Sequence, residues 1–275
     1  MTKRVTVALA ALLAAALTGG WFWWQGERAR GPVQQPEPPV AASAPTAPAP
    51  MPPSAPAILH PVPAAAASSS ATVAGFDEAL IDLFGGRAVA SLFRTDDFAH
   101  RFVATIDNLG RSSAPANVWP VNPAKGRFET ADTAQGEVVQ ADNALRYVPY
   151  VLLLEQVDLR QAVQVYAQHY PALQREYEEL GFPQRYFNDR FIDVLDQLLA
   201  TPEGAPPLHV HRPAINGVQP TRPWVLYEFD DPALQSLSAG QRTLLRMGPA
   251  NERRVKVRLA ELRRLLAADG AGGTR

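Results

Sequence analysis

The chain has 275 residues, 47% of them hydrophobic, with 26 Lys+Arg against 27 Asp+Glu and no cysteine. The missing cysteine excludes disulfides, thiolate metal sites, iron–sulfur clusters, thiol nucleophiles and a lipid-modified N-terminal Cys. A net charge of −1 lacks the basic excess that coating nucleic acid requires, so no nucleic-acid partner is expected.

Lys3 and Arg4, in a short tail at 1–4, precede an uncharged run of 20 residues at 5–24 that ends in Trp21-Phe22-Trp23-Trp24. As a helix this run spans about 30 Å, the thickness of a bilayer core. Indole rings favour the headgroup level, and a basic start stays cytoplasmic. The reading is a single transmembrane helix that presents the rest of the chain outside. The alternative is a cleaved signal peptide, which shares the basic start and apolar run. Against it, Ala14-Ala15-Ala16 would be cut inside the apolar stretch, and four clustered aromatics make an unusual mature start. Residues 25–74 follow as a linker. Its stretch 31–74 holds 12 prolines and 13 alanines, with Glu37 its one formal charge. Such a segment cannot bury enough apolar surface to offset its ordering entropy, so a disordered tether with polyproline II character is expected. Its reach is roughly 35–40 Å as a coil and about 135 Å extended.

Residues 75–268 can enclose a core of their own, and 269–275 read as a disordered tail. The fold class expected is mainly α: one compact helical domain with long irregular loops and room for a small two-stranded β element. A first helix is expected over 77–84, stopped by Gly85-Gly86. Thr95 is the expected N-cap of a second, with Asp96 and Asp97 at its positive end and Gly110 as its C-cap. Phe98, Phe102, Ile106 and Leu109 give it one apolar face. The pattern then lapses from Arg111 to Asp142, where only 127–130 and 138–139 suit short strands. A loop this long is functional or wraps the core.

Helices resume at Pro149, through Leu152–Leu154. Asp158 and Gln161 form a capping-box pattern before Leu159, Val163, Tyr166 and Tyr170. Pro171 is expected to open a further helix carrying Leu173, Tyr177 and Leu180, ended by Gly181. Phe187, Phe191, Leu195 and Leu198 mark the next, closed by Pro202. Five prolines from Pro206 to Pro223 forbid helix, leaving 208–212 and 224–229 as extended arms. Ser238 and Gln241 suggest a capping box, Gly248-Pro249 a break, and Val255, Leu259, Leu262 and Leu266 the core stripe of the last helix.

The order of several short motifs resembles an uncharacterised bacterial family, domain of unknown function 3014. They are Ile106-Asp107-Asn108-Leu109, Arg146-Tyr147 before Pro149-Tyr150, Tyr170-Pro171, Tyr177 to Pro183, and Tyr186-Phe187-Asn188-Asp189-Arg190. Leu226-Tyr227-Glu228-Phe229, Ser238 to Gln241 and Leu245 to Pro249 complete the series. The resemblance implies a layout of one membrane segment, a proline-rich spacer and one outer domain, which puts the head in the periplasm and the anchor in the inner membrane. It brings no activity, cofactor or catalytic set.

Candidate chemistry is sparse. Asp189, Asp193 and Asp196 share one stripe of their helix, where a hydrolase could draw an acid and a base, but a solvated face is expected. His209 and His211 alternate on a strand and lack a third metal ligand. Asp107 and His100 lie behind the apolar face, with no nucleophile elbow to complete a triad, and a surface placement is expected. Asn188 is read as a helix cap. Arginine suits carboxylate pairing, so Arg146, Tyr147 and Arg246 are expected at helix junctions, in an ion-pair network with Asp107 and Asp189 or in a polar ligand pocket. The ligand-binding candidates are therefore Asp107, Asn108, Arg146, Tyr147, Asn188, Asp189, Arg190 and Arg246, with no catalytic residue, metal or cofactor named. The last helix has six basic residues between Arg253 and Arg264, which internal pairing with Glu252 and Glu261 or an anionic surface could engage. The function expected is a membrane-anchored binding or scaffolding protein whose partner is another envelope protein or a cell-wall component. The alternative is a carboxylate-dependent hydrolase or wall-modifying enzyme.

Overall fold

The computed structural model describes residues 57–62, 75–204, 206–213 and 225–268. The chain divides between Pro52 and Pro53, and only the second unit falls among the described residues. The expected anchor at 5–24, the linker apart from 57–62, and the tail at 269–275 lie outside them. Among the described residues no helix is long and apolar enough to cross a membrane.

The described unit is mainly helical with two small two-stranded sheets. In chain order the helices are α1 (Phe76–Phe84), α2 (Gly86–Leu92), α3 (Phe98–Leu109), α4 (Val148–Gln156), α5 (Leu159–Glu179), α6 (Phe187–Leu199), α7 (Pro232–Gln235), α8 (Ala239–Arg246) and α9 (Pro249–Ala268). Strands β1 (Thr130–Thr133) and β2 (Gly136–Val139) form an antiparallel hairpin between α3 and α4. Strands β3 (Val210–His211) and β4 (Glu228–Phe229) pair antiparallel, and a single bridge from Val138 to His209 joins the two sheets.

The main core lies where α3, α5 and α6 meet, lined by Val103, Tyr166, Leu173, Tyr177, Phe187 and Ile192, and Leu266 of α9 closes it. Ring packing fixes the α3–α6 contact: Phe102 meets Phe191 edge-on, with centroids 5.8 Å apart. A second cluster joins Val151 of α4, Val194 and Leu198 of α6, Leu244 of α8 and Val255 of α9. The third seats the β3–β4 ladder on α8 through Val210, Phe229 and Leu245.

Several expectations need correction. The first helix ends at Gly85 (φ 80°) as expected, but Gly86, expected to share in the stop, opens α2. Thr95 is not the N-cap of α3. Asp97 takes that place in a left-handed conformation, φ 57° and without a side-chain cap bond, while Arg101 holds Asp96 by its carbonyl at 2.7 Å and its carboxylate at 2.6 Å. Gly110 is the C-cap as expected, but in a right-handed conformation, φ −80°. Space is what excludes a side chain at that position, since a Cβ would sit 2.8 Å from an Arg190 nitrogen and 3.0 Å from Val194. Pro171 does not open a helix but lies inside α5, which runs unbroken for 21 residues. Its missing N–H costs one helical bond. Tyr166, Tyr170, Leu173 and Tyr177 form one buried stripe across it, and that burial holds the two halves in line.

Other features match. Asp158 caps α5 through the Arg160 and Gln161 amides. Gly181, at φ 103°, ends α5 in a Schellman turn in which Gly181 N–H donates to Glu178 O and Phe182 N–H to Tyr177 O. The Tyr177 and Phe182 rings stack over that turn at 4.7 Å. The Ser238–Gln241 capping box on α8 is complete. The segment 111–142 wraps the core. Its Pro120 carbonyl accepts from Arg94 N–H, Val118 O from Thr105 and Asn122 O from Tyr150. The strand expected at 127–130 forms later, over Thr130–Thr133, where the turn lets it pair with Gly136–Val139.

Among the cations of α9, Arg254 pairs with Glu155 at 2.5 Å, Arg263 with Asp196 at 2.8 Å, and Arg258 with Glu261 at 2.5 Å. The Arg263 hydrogen bond holds the Asp196 carboxyl below the usual range despite the opposing effect of burial, and Arg254 does the same for Glu155. A carboxyl lowered in the folded state leaves the unfolded chain as the better proton acceptor. The stability these pairs supply is whole above the ordinary carboxylate range and disappears as pH falls through the folded values, below about pH 4. Thermal melts from pH 6 to 2.5 should therefore show a steeper acid loss for the native chain than for Arg263→Gln, with the two curves converging at the acid end.

Candidate functional site

The eight candidate residues fall into three groups. The first is built on Asp107, expected at the surface but only 6% exposed. It lies on α3 one turn from Val103, so the buried stripe of that helix is wider than the aromatic face alone. Arg190 of α6 donates its Nε to Oδ1 at 2.9 Å and an Nη2 to the Asp107 carbonyl at 2.8 Å. Arg111 donates to Oδ2 at 2.8 Å. Asn108 turns back to the Ala104 carbonyl, a local bond along its own helix. His100 pairs with Glu176 at 3.2 Å, so no Asp107–His100 dyad forms.

The second group is Arg146, Tyr147 and Arg246. Arg146 reaches the Lys125 carbonyl at 3.0 Å, and Arg246 the Tyr227 carbonyl at 2.7 Å. The Arg246 guanidinium also stands over the Phe229 ring at 5.2 Å. Burial pulls its pKa down and pushes the Tyr147 phenol up. The expected network linking these arginines to Asp107 and Asp189 is thus not what the structure builds. Asp107 pairs with nearer guanidinium groups, and Arg146 and Arg246 satisfy carbonyls of irregular chain.

The third group, at the start of α6, is the most organised. Asn188 is fully buried and lies within the helix, so it is not the expected cap. Tyr186 occupies the N-cap position and makes no side-chain cap bond. The orphan amides of this end are served from α5: Gln174 Oε1 accepts from Phe187 N–H at 2.8 Å, and the Tyr170 hydroxyl from Asn188 N–H at 3.1 Å. Capping from a neighbouring helix releases the Asn188 and Asp189 side chains for another role.

Their partner is the segment 57–62, which the composition assigned to a passive tether. Asp189 accepts the Leu59 and His60 amides at 3.1 and 2.7 Å. Asn188 Nδ2 donates to the His60 carbonyl at 2.8 Å, and the Tyr186 hydroxyl accepts the Val62 amide at 3.0 Å. Pro61, with no N–H to satisfy, occupies the position that receives no bond. Val62 packs against the main core. We call this three-residue arrangement the clamp and residues 57–62 the arm.

The clamp is oriented from behind. Tyr166, whose phenol burial drives far above its ordinary pKa, donates to Asn188 Oδ1 at 3.0 Å. That bond directs the amide nitrogen toward the arm. Tyr170, also raised by burial, donates to Gln174 at 2.9 Å. Sequence reasoning missed Tyr166, Tyr170, Gln174 and Tyr186. A signal existed for the first two: they lie one turn apart on an inward face, and buried phenols require partners. Asn143, Asn251 and Glu252 were also missed as buried polar residues.

Of the other acidic candidates, Asp193 is exposed, whereas Asp196 pairs with Arg263. His211 pairs with Asp230 at 2.6 Å. Among the described residues no group of three or more metal-ligating side chains comes together. Both oxygens of Asp107 and both of Asp189 already accept hydrogen bonds. The arrangement grips a polypeptide backbone.

Residues 98–263 match the model of a family described as a protein of unknown function, DUF3014. No curated protein and no solved structure matches the chain.

Two substitutions separate the two α6 groups. Asp107→Asn should cost about 3–5 kcal/mol in urea unfolding, because it strips a buried pair of one partner. Tyr166→Phe should cost about 1–3 kcal/mol by leaving Asn188 Oδ1 without its donor. Only Tyr166→Phe should accelerate proteolysis within 57–62 under native conditions.

Proposed function

The chain belongs to the DUF3014 family, and we propose that it is a non-catalytic binding module of the bacterial envelope, held at the inner membrane by residues 5–24 with its helical head in the periplasm. The observation that carries this reading is the clamp: side chains with credentials for chemistry are committed to holding a short stretch of polypeptide. Such use of backbone amides and one apolar side chain is a peptide-recognition geometry. The 5–24 run and the basic pair before it support the anchored placement.

A carboxylate hydrolase would need an acid and a base facing a common substrate space. Asp107 is instead bracketed by two guanidinium groups and Asp189 by two amides, which favours binding over turnover. On this reading the tether keeps the head close to the membrane and raises its effective concentration there. The partner is another envelope protein or a wall component.

The test combines placement with contact. Protease added to intact spheroplasts should degrade the head without lysis, and photocrosslinking in intact cells should join it to envelope neighbours. Protection of the head until lysis would remove the envelope assignment. An enzymatic role would instead appear if Asp189→Asn abolished a cellular effect while abundance and crosslinks stayed unchanged.

A further inference from the structure

We propose that the Tyr186–Asn188–Asp189 clamp is a docking site for a short, bent, proline-containing peptide segment of another protein, and that residues 57–62 occupy it in cis as a stand-in for that partner. The inference deepens the binding-module reading above and rests on it for its setting.

The seated arm defines what the clamp requires. It uses N–H groups at two successive residues, 59 and 60, a carbonyl at 60, and another N–H at 62. Between them position 61 is a proline, which supplies no donor and stiffens the chain at low entropic cost. The side chain at 62 packs on the core, whereas Ile58 and Leu59 are 54% and 70% exposed. The ligand so described bends at two successive non-proline residues, followed by proline and then an aliphatic residue. Backbone bonds supply affinity and the aliphatic anchor supplies selectivity.

Two further observations favour a partner in trans. Tyr166 orients the Asn188 side chain, Tyr170 and Gln174 hold the Asn188 and Phe187 backbone amides, and the Tyr186 ring packs on Tyr170 at 5.1 Å; none of these supports belongs to the arm. The receptor and occupant are also separable along the chain. All three clamp residues lie within the family match at 98–263, and the arm lies outside it. The arm is joined to α1 through residues 63–74, a short connection that gives cis occupancy a high effective concentration. A partner must displace it, so the site is self-screened against weak ligands. The chain supplies its own negative control: Pro39-Val40 repeats the proline–valine step, but Pro38 stands where His60 offers its N–H.

The experiment uses the full chain in detergent and a fluorescein-labelled peptide, Ala-Ile-Leu-His-Pro-Val, read by anisotropy. His60→Pro in the chain removes an amide that Asp189 accepts and weakens the arm. This variant should bind the peptide at least tenfold more tightly than the native chain, and adding Asp189→Ala should reverse the gain by at least tenfold. The peptide Pro-Glu-Pro-Pro-Val-Ala should not bind. A His60→Pro chain that melts cooperatively yet binds no peptide at millimolar concentration would overturn the proposal and make the arm a fixed part of the fold. Concentration-dependent dimers of the native chain held by exchanged arms would overturn it in favour of a second copy as occupant. If His60→Pro fails to fold, a photocrosslinker at Leu59 in the otherwise native chain gives the same decision. Excess peptide should abolish its intramolecular crosslink to α6, and persistence of that crosslink would refute the inference. Failure of peptide binding with envelope crosslinks retained removes this inference alone, whereas loss of those crosslinks removes the reading beneath it.

Discussion

A side-chain amide shut away from water must find partners at both ends, and at Asn188 this requirement organises the centre of the molecule. Its oxygen is met by the Tyr166 hydroxyl, its nitrogen by the His60 carbonyl, and its backbone N–H by Tyr170. Two pieces of chain distant in sequence, α5 and the arm, are thereby fixed to one residue of α6. Buried polar networks of this kind rigidify when satisfied and are costly when half-satisfied. Two residues along, Arg190 ties the same helix to α3 through Asp107. Helix α6 is thus held by polar bonds on one side and by Phe191, Ile192 and Leu195 on another.

Arginine serves a second purpose across the structure, as a donor to main-chain carbonyls that regular structure leaves over. Arg258 reaches the Leu154 and Val157 carbonyls at the end of α4, at 3.0 and 2.6 Å. Arg242 takes those of Gln235 and Leu237, and Arg101 that of Asn117. A planar fork with five donors suits this task better than an ammonium. Several helix junctions among the described residues are sealed this way.

What could be read in advance was local. Apolar spacing located the stripes of α5, α6 and α9, and Ser238 with Gln241 announced α8, because helix periodicity and capping depend on residues within four positions. What could not be read depended on partners far along the chain. Asp107 looked exposed because it stood behind Phe102 and Ile106, and its burial is made tolerable by Arg190, 83 positions away. Pro171 looked like a beginning because proline usually is one, yet the tertiary stripe on either side of it overrides that preference. Asn188 and Asp189 were noticed as polar residues at a helix start, but their occupant was hidden in a segment whose composition spoke only of disorder. No periodicity marks a stretch that is held by its backbone.

Docking the arm also changes where a mechanical load enters the molecule. Tension applied from the N-terminal side of the chain meets the four hydrogen bonds at residues 59–62 before it can reach α1. Helices α1 and α2 are therefore shielded from pulling for as long as those bonds hold. The seam thus behaves as a fuse, yielding first and sparing the hydrophobic interior.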